Sequence, residues 1–242
     1  MPIREKKIYS GPMLEVEMYQ ISKEDRRQSR RKKEKLTKPA QRNLNFKNAR
    51  KHFTRLLNTN FDDKDVHLTL TYRDDDLPIN MEQASKDFRN FIRRVKYRRK
   101  KQGLPELKYM AVLEQSGDDG RATRAHHHVI MSGDMDRDEL EAIWKKGRCN
   151  ASRLQPDDHG LEGLAKYLTK KRKAGKLWTQ SRNLKQPTVK TNDWKISRRK
   201  FYNYAADDCE VYYPDYELTR IEKTANNVTG YMSISILMRR RE

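Results

Sequence analysis

The sequence predicts an α+β fold in which helices pack on one face of an antiparallel sheet. Apolar and polar residues alternate at 66–72, and an apolar run follows three histidines at 125–132, as in strands. Apolar residues recur every three or four positions at 81–101, which is typical of an amphipathic helix. Between residues 62 and 175 such segments follow one another in the order βαββαβα. This order favours an antiparallel sheet with helices on it over a helical bundle or a parallel sheet.

The composition indicates a polyanionic partner. The 242 residues include 54 Lys and Arg against 34 Asp and Glu, a formal net charge of +20. A basic protein surface favours binding to nucleic acid, because neutralising the phosphates releases counterions. A membrane surface is the competing polyanion, but no run approaches about eighteen apolar residues and no signal-peptide core is visible. We therefore expect a cytoplasmic protein that binds nucleic acid, not membrane.

The two cysteines give no sign of a redox or zinc site. Cys149 and Cys209 form no Cys-x-x-Cys pair. They are expected to be ordinary thiols in a reducing compartment.

Residues 1–36 are predicted to form a basic arm that contains a candidate strand at 8–19. The stretch 26–35 is too rich in Arg and Lys to pack into a core, so it should be solvated until it meets phosphate. Residues 37–61 are predicted to be an accessory helix, because Thr37-Lys-Pro-Ala40 has the composition of a helix start. Its core-facing residues would be Leu44, Ala49, Phe53, Leu56 and Leu57.

Residues 62–175 are predicted to be the main domain. Its expected strands are 66–72, 108–114, 125–132 and 148–154, and its expected helices are 81–101, 136–146 and 158–173. The last helix has an apolar stripe of Leu161, Leu164 and Leu168 at helical spacing.

Residues 176–242 are predicted to be a basic and aromatic extension. Aromatic residues such as Trp194 and Tyr202 are interleaved with Lys and Arg, which suits single-stranded nucleic acid, although the same rings could equally form a second hydrophobic layer. Residues 231–238 alternate apolar and polar side chains and should form a C-terminal strand.

The histidine strand carries the first candidate site. His126 and His128 share one face of a strand, whereas His127 points to the other. Two imidazoles held in this way are ready ligands for a divalent metal, and Glu114 on the preceding strand would supply a third. Gln115 is the alternative to Glu114. His67 and His127 are expected to support or pack, not to bind metal.

A predicted helix with a single tyrosine carries the second candidate site. Tyr167 lies on the helix predicted at 158–173, with Lys170 one turn further on and Lys171 almost as well placed. A nucleophilic hydroxyl beside a metal site, with an ammonium one turn away, is the equipment for cutting a phosphodiester through a phosphotyrosine.

Taken in this order, three motifs resemble those of the HUH endonucleases, specifically the rolling-circle replication initiators (Rep proteins) of phages, plasmids and mobile elements. The segment His67-Leu-Thr-Leu-Thr-Tyr72 resembles the first Rep motif. His126-His127-His128 resembles His-hydrophobe-His, with His127 departing from the apolar middle residue, and Tyr167-Leu-Thr-Lys170 resembles Tyr-x-x-Lys. The helix at 37–61 and residues 176–184 are similar to a bacterial and phage subgroup of such proteins. Relaxases have the tyrosine before the histidines, so the order argues against them.

This resemblance implies an HUH nuclease domain with an RRM-like core at 62–175. Glu114, His126 and His128 would hold Mn²⁺ or Mg²⁺. Tyr167, assisted by Lys170 or Lys171, would nick single-stranded or hairpin DNA at a replication origin and later rejoin the ends. A host or partner helicase and polymerase would be needed, because no Gly-x-x-x-x-Gly-Lys-[Ser/Thr] occurs in the sequence.

A basic helix end and a later basic segment are predicted to contact DNA phosphates. The residues concerned are Arg93, Arg94, Lys96, Arg98, Arg99, Arg182 and Lys185. Two other functions remain open, an HUH single-strand transposase and a non-catalytic nucleic-acid-binding regulator. A metal-dependent covalent adduct would separate an enzyme from a regulator, and strand transfer to a second DNA would separate a transposase from an initiator.

Overall fold

A computed structural model describes residues 1–21, 39–116, 122–170, 177–225 and 230–241. Within this part of the chain there are two five-stranded antiparallel sheets and six α-helices, so the predicted α+β class is confirmed. The chain divides into two compact units. The central unit comprises 49–156 and 161–185, and the terminal unit comprises 1–48, 157–160 and 186–242.

The elements are numbered in chain order. The strands are β1 (Ile3–Ser10), β2 (Met13–Gln20), β3 (Val66–Leu70), β4 (Tyr109–Ser116), β5 (Ala122–Met131), β6 (Cys149–Arg153), β7 (Thr179–Gln180), β8 (Thr188–Asn192), β9 (Tyr216–Ala225) and β10 (Met232–Arg240). The helices are α1 (Pro39–Asn60), α2 (Met81–Lys101), α3 (Arg137–Trp144), α4 (Glu162–Thr169), α5 (Arg198–Tyr202) and α6 (Asp207–Tyr212).

The sheet of the central unit has the strand order β6-β3-β5-β4-β7, with every pair antiparallel. On one face, Leu68 and Val129 pack with residues of α2 and α3 such as Phe91 and Trp144. This cluster gives the sheet its first hydrophobic layer.

The other face of the same sheet is also covered. Met110 and Ile130 pack with Phe53 of α1 and with Leu161 and Leu168 of α4. The expectation of helices on one face only is therefore wrong. The physical reason is that β4 is apolar at five consecutive positions, 109–113, and β5 at 129–131, so both faces of the sheet present apolar side chains there.

The helix that carries Tyr167 is shorter than predicted. It was expected at 158–173, but α4 begins at Glu162 and ends at Thr169. Asp157 and Gly160 instead form an isolated bridge, and Gly160 has a φ of +67°, which does not fit a right-handed helix. Residues 171–176 lie outside the described residues.

The terminal unit is built from both ends of the chain. Its sheet has the order β8-β1-β2-β10-β9. The candidate strand at 8–19 is in fact a hairpin of β1 and β2, because Gly11 with a φ of +58° allows a two-residue turn between Ser10 and Met13. The strand predicted at 231–238 is confirmed as β10, which pairs with β2. The basic stretch 26–35 lies outside the described residues.

Helices α5 and α6 cover one face of the terminal sheet. Phe201, Tyr204 and Cys209 pack there against residues of β2 and β10 such as Val16 and Ile236. Several aromatic residues of the 176–242 segment therefore form a hydrophobic layer, whereas Trp194 and Tyr202 are exposed. No helix among the described residues is long and apolar enough to cross a membrane.

Candidate active site

Three side chains that can bind metal converge on one face of the central sheet. Strands β4 and β5 are neighbours, and their register places Glu114 opposite His126. The Nε2 atoms of His126 and His128 lie 3.5 Å and 3.6 Å from Oε2 of Glu114. One ligand atom from each of the three residues lies within 4.8 Å of the other two. This arrangement follows from the two-residue period of β5, which puts both imidazoles on the side of Glu114. The side chain of Gln115 is outside the described residues, so this alternative to Glu114 stays open.

His67 contacts one of these candidate ligands from the side. Strand β3 pairs with β5, and Nε2 of His67 lies 3.2 Å from Nδ1 of His128. The hydroxyl of Thr69 lies 3.4 Å from the same nitrogen. Burial lowers the pKa of His67, which favours its neutral form. Contacts at Nδ1 fix the orientation of the His128 ring and leave Nε2 facing Glu114, the usual way in which a metal-binding imidazole is held.

His127 points to the opposite face and belongs to the core. Its ring is 2% exposed, stacks on Phe88 at 5.2 Å, and has Nε2 3.0 Å from the hydroxyl of Tyr72. Burial lowers the pKa of His127 to about 3, with smaller contributions from His126 and His128. A neutral imidazole here does the packing of an apolar residue. This accounts for a histidine at the position where the Rep motif has a hydrophobe.

Tyr167 lies beside the histidines and is open to solvent. Its ring centroid is 5.6 Å from that of His128, with the two rings nearly perpendicular, and the residue is 61% exposed. Ala165 and Leu168 on the same helix are buried and anchor it. The candidate nucleophile therefore stands at the edge of the Glu114–His126–His128 cluster with room for a substrate to approach.

Of the two candidate lysines, Lys170 is among the described residues. Lys170 is exposed and immediately follows α4, and its backbone N–H donates to the carbonyl oxygen of Tyr167 at 3.3 Å. Lys171 lies outside the described residues. The choice between them therefore remains open.

The basic end of α2 divides into exposed and internally bonded residues. Arg93 and Lys96 are exposed. Arg94 donates to the carbonyl oxygens of Ile143 and Trp144 at the end of α3, at 3.1 Å and 3.3 Å.

Arg99 is only 2% exposed, and it donates to the carbonyl of Pro105 and to Asp134. Arg98 is half exposed and pairs with Glu139 at 2.6 Å. The guanidinium groups of Arg94 and Arg99 bond within the fold, which argues against phosphate contact by the buried Arg99, whereas phosphate contact by the half-buried Arg94 stays a prediction. Arg182 and Lys185 are exposed.

Two residues with contacts to the tyrosine helix were not singled out from the sequence. Asn58 and Arg50, both on α1, form hydrogen bonds to residues 161–169. Contacts over more than a hundred positions leave no local pattern that would have pointed to them.

Comparison with known proteins gives a match to a protein-family model. No curated protein and no solved structure matches the chain. Residues 65–172, from the start of β3 to just beyond α4, match the family model described as replication-associated protein ORF2/G2P. The matched region contains the three histidines, Glu114 and Tyr167. In this region the chain is thus similar to the replication-associated proteins, and its predicted resemblance to a Rep replication initiator is confirmed.

Proposed function

We propose that this protein is a rolling-circle replication initiator that nicks single-stranded DNA at an origin with Tyr167 as the nucleophile. The observation that carries the proposal is the position of Tyr167, whose exposed ring lies 5.6 Å from His128 in a cluster of three candidate metal ligands. The match to replication-associated proteins supports a role in replication.

The donor set fits a divalent ion. Two imidazole nitrogens and a carboxylate oxygen suit Mn²⁺, whereas Mg²⁺, which prefers oxygen ligands, is the alternative because of its cellular concentration. His126, His128 and Glu114 would hold the ion, with His67 and Thr69 keeping the His128 ring in place. A bound ion would act as a Lewis acid on a non-bridging oxygen of the scissile phosphate.

Tyr167 would then carry the covalent step. Its hydroxyl oxygen attacks the phosphorus in line with the leaving 3′-oxygen, losing its proton to solvent. The bond between phosphorus and the 3′-oxygen breaks, and the 3′-oxygen takes up a proton. The products are a 5′-phosphotyrosine and a free 3′-hydroxyl, so the bond energy is kept for later rejoining. An ammonium from Lys170 or Lys171 would stabilise the charge that develops on the phosphate.

The substrate is proposed to be single-stranded or hairpin DNA at a replication origin. In-line attack requires the phosphate and its flanking bases to enter the site, and paired, stacked bases hinder this geometry. The net charge of +20 favours a polyanion. Because the sequence has no P-loop motif, a host or partner helicase and polymerase would open and copy the duplex.

A Tyr167→Phe variant tests this proposal. The full chain is incubated with labelled single-stranded origin DNA and Mn²⁺, and the protein is mapped by mass spectrometry for a bound nucleotide. We expect an adduct on Tyr167 in the wild type, its loss on chelation, and its absence in Tyr167→Phe with DNA binding retained.

Tyr97→Phe is the matched control, because Tyr97 is also 61% exposed but lies on α2. It should form the adduct at the wild-type rate. An adduct on another tyrosine, or nicking by Tyr167→Phe, would contradict the assignment. Transfer of the bound strand to an unlinked DNA molecule would favour a transposase instead.

A further inference from the structure

Helix α1 forms hydrogen bonds to both ends of the helix that carries Tyr167, although α1 lies outside the matched residues 65–172. At the beginning of α4, Oδ1 of Asn58 accepts the backbone N–H of Leu161 at 2.8 Å. At its end, Nε of Arg50 donates to the hydroxyl oxygen of Thr169 at 2.8 Å, and Nη2 lies 3.4 Å from the carbonyl of Lys166. These contacts belong to one unit, because residues 49–60 and 161–170 are both in the central unit.

Asn58 provides a hydrogen-bond acceptor for the N–H of Leu161, which α4 itself does not provide. The first N–H groups of a helix have no partner within the helix. In a capping box the side chain of the third helical residue accepts the N–H of the capping residue, but in α4 the third residue is Leu164, which has no acceptor for the N–H of the capping residue Leu161. Leu161 and Asn58 are 2% and 7% exposed, so water has little access to this N–H. Loss of the Asn58 oxygen would leave a buried donor unsatisfied and so destabilise the start of α4.

Arg50 forms a hydrogen-bonded chain with Thr169 and Ala165 at the other end of α4. Thr169 is 1% exposed, and its hydroxyl donates to the carbonyl of Ala165 at 2.7 Å while accepting from Arg50. A guanidinium at this end also interacts favourably with the negative end of the helix dipole. Arg50 therefore stabilises the last turn of α4, in which Tyr167 lies.

Apolar packing fills the space between these two contacts. Phe53, Leu56 and Leu57 of α1 share a buried cluster with Ala165 and Leu168 of α4. A helix of eight residues is marginal by itself, so its orientation depends on such neighbours. Hydrogen bonds at both ends fix its position along its axis, and the packing fixes its rotation. Together they determine where the Tyr167 ring stands relative to His128.

We propose that Asn58 and Arg50 are positioning residues, through which α1 sets Tyr167 for in-line attack before DNA binds. This inference rests on the proposed function of Tyr167 as the nucleophile. Neither side chain touches the reacting atoms in this scheme. Their effect is on geometry, and a displacement of about 1 Å of a reacting group can lower a rate by on the order of 100-fold.

The test compares Asn58→Ala and Arg50→Ala with two matched variants in the full chain. Asn58→Asp retains a side-chain oxygen that can accept the Leu161 N–H, and a carboxylate is favourable at a helix N-terminus. Arg42→Ala removes an exposed cation from the same helix, so it controls for lost charge. Three quantities are measured: the single-turnover rate of adduct formation with saturating single-stranded DNA and Mn²⁺, the Kd for that DNA, and hydrogen exchange of the α4 amides without DNA.

We expect Asn58→Ala and Arg50→Ala to slow adduct formation at least tenfold with little change in Kd, and to speed exchange in α4 more than in β3 and β5. Asn58→Asp and Arg42→Ala should stay within about twofold of the wild type. Adduct formation at the wild-type rate in both alanine variants would overturn the proposal. Equal loss of protection in α4 and the central strands would also overturn it, because the effect would then be general destabilisation. If the wild type forms no adduct, the proposed function fails, while exchange in α4 still shows whether α1 holds that helix.

Discussion

At the scale of single residues, three consecutive histidines have different environments because of the strand period alone. His126 and His128 lie on the face of Glu114, and His127 lies in the core on the other face. This division could be predicted from the sequence, since neighbouring side chains of a strand alternate. The partners of His127 could not, because Tyr72 and Phe88 come from other elements and their contacts depend on the packed sheet.

The buried His127 predicts a dependence of stability on pH. Its pKa is about 3 in the folded protein, against roughly 6.5 for an unperturbed histidine. The unfolded chain therefore binds more protons between these values, and the free energy of unfolding falls as the pH is lowered through this range. At pH 5 this residue alone should cost about 2 kcal/mol relative to pH 7.

His127→Gln is the variant that isolates this effect. Its amide does not titrate, yet it can accept a hydrogen bond from the Tyr72 hydroxyl. Urea unfolding with a metal chelator at pH 7 and pH 5 should show a smaller loss of stability for the variant than for the wild type. Equal losses would contradict the assignment, because His127 is the one titratable side chain in which the two proteins differ.

At the scale of elements, the hydrophobic periodicity of α2 predicts its bounds but not the roles of its basic residues. The helix was predicted at 81–101 and is found at Met81–Lys101, because its apolar residues repeat at helical spacing and Asn80 caps its start by accepting the N–H of Gln83 at 2.9 Å. The roles of its cations could not be read from the same pattern. A buried guanidinium is acceptable only where partners exist, and the partners of Arg99 come from Pro105 and Asp134.

Lys96→Ala and Arg99→Ala should therefore have opposite consequences. Lys96 is exposed, so its removal should weaken binding of single-stranded DNA and change the free energy of unfolding by less than about 0.5 kcal/mol. Removal of the buried Arg99 should lower that free energy by about 1–3 kcal/mol, because a fully buried side chain and its hydrogen bonds are lost. Denaturant unfolding and a binding titration on both variants decide this. An unchanged stability of Arg99→Ala, with weaker DNA binding, would restore its predicted phosphate contact.

At the scale of the whole molecule, the central domain was more predictable than the terminal sheet. The order of elements at 62–175 is local information, and each element there has a clear period. The terminal sheet instead joins β2 to β10 from opposite ends of the chain, and β9 was not predicted at all. Such pairing depends on which strand edges meet after folding, which a local pattern does not encode.

The role of the basic arm cannot be tested by deleting residues 1–36, because two strands of the terminal sheet lie in this segment. Deletion of residues 1–36 would remove β1 and β2, of which β2 is the central strand, and would confuse folding with binding. Substitution is the sharper change. Replacing the seven Lys and Arg residues between 26 and 35 by Ser or Gln removes charge and leaves both strands intact.

Binding of single-stranded DNA by the wild type should show a slope of log affinity against log salt steeper than about −4, because each neutralised phosphate contributes on the order of 0.7. If the basic stretch contacts phosphate, the variant without these seven cations should have a slope flatter by several units and weaker binding at low salt, with the same midpoint of thermal unfolding. Arg93→Ala, which removes one exposed cation from α2, should flatten the slope by less than about one unit. Fluorescence anisotropy across a salt series measures the DNA affinity, and hence the slope, for all three proteins. A substituted variant with the wild-type slope would show that residues 26–35 do not bind the phosphate backbone, and that the charge that drives binding lies elsewhere in the chain.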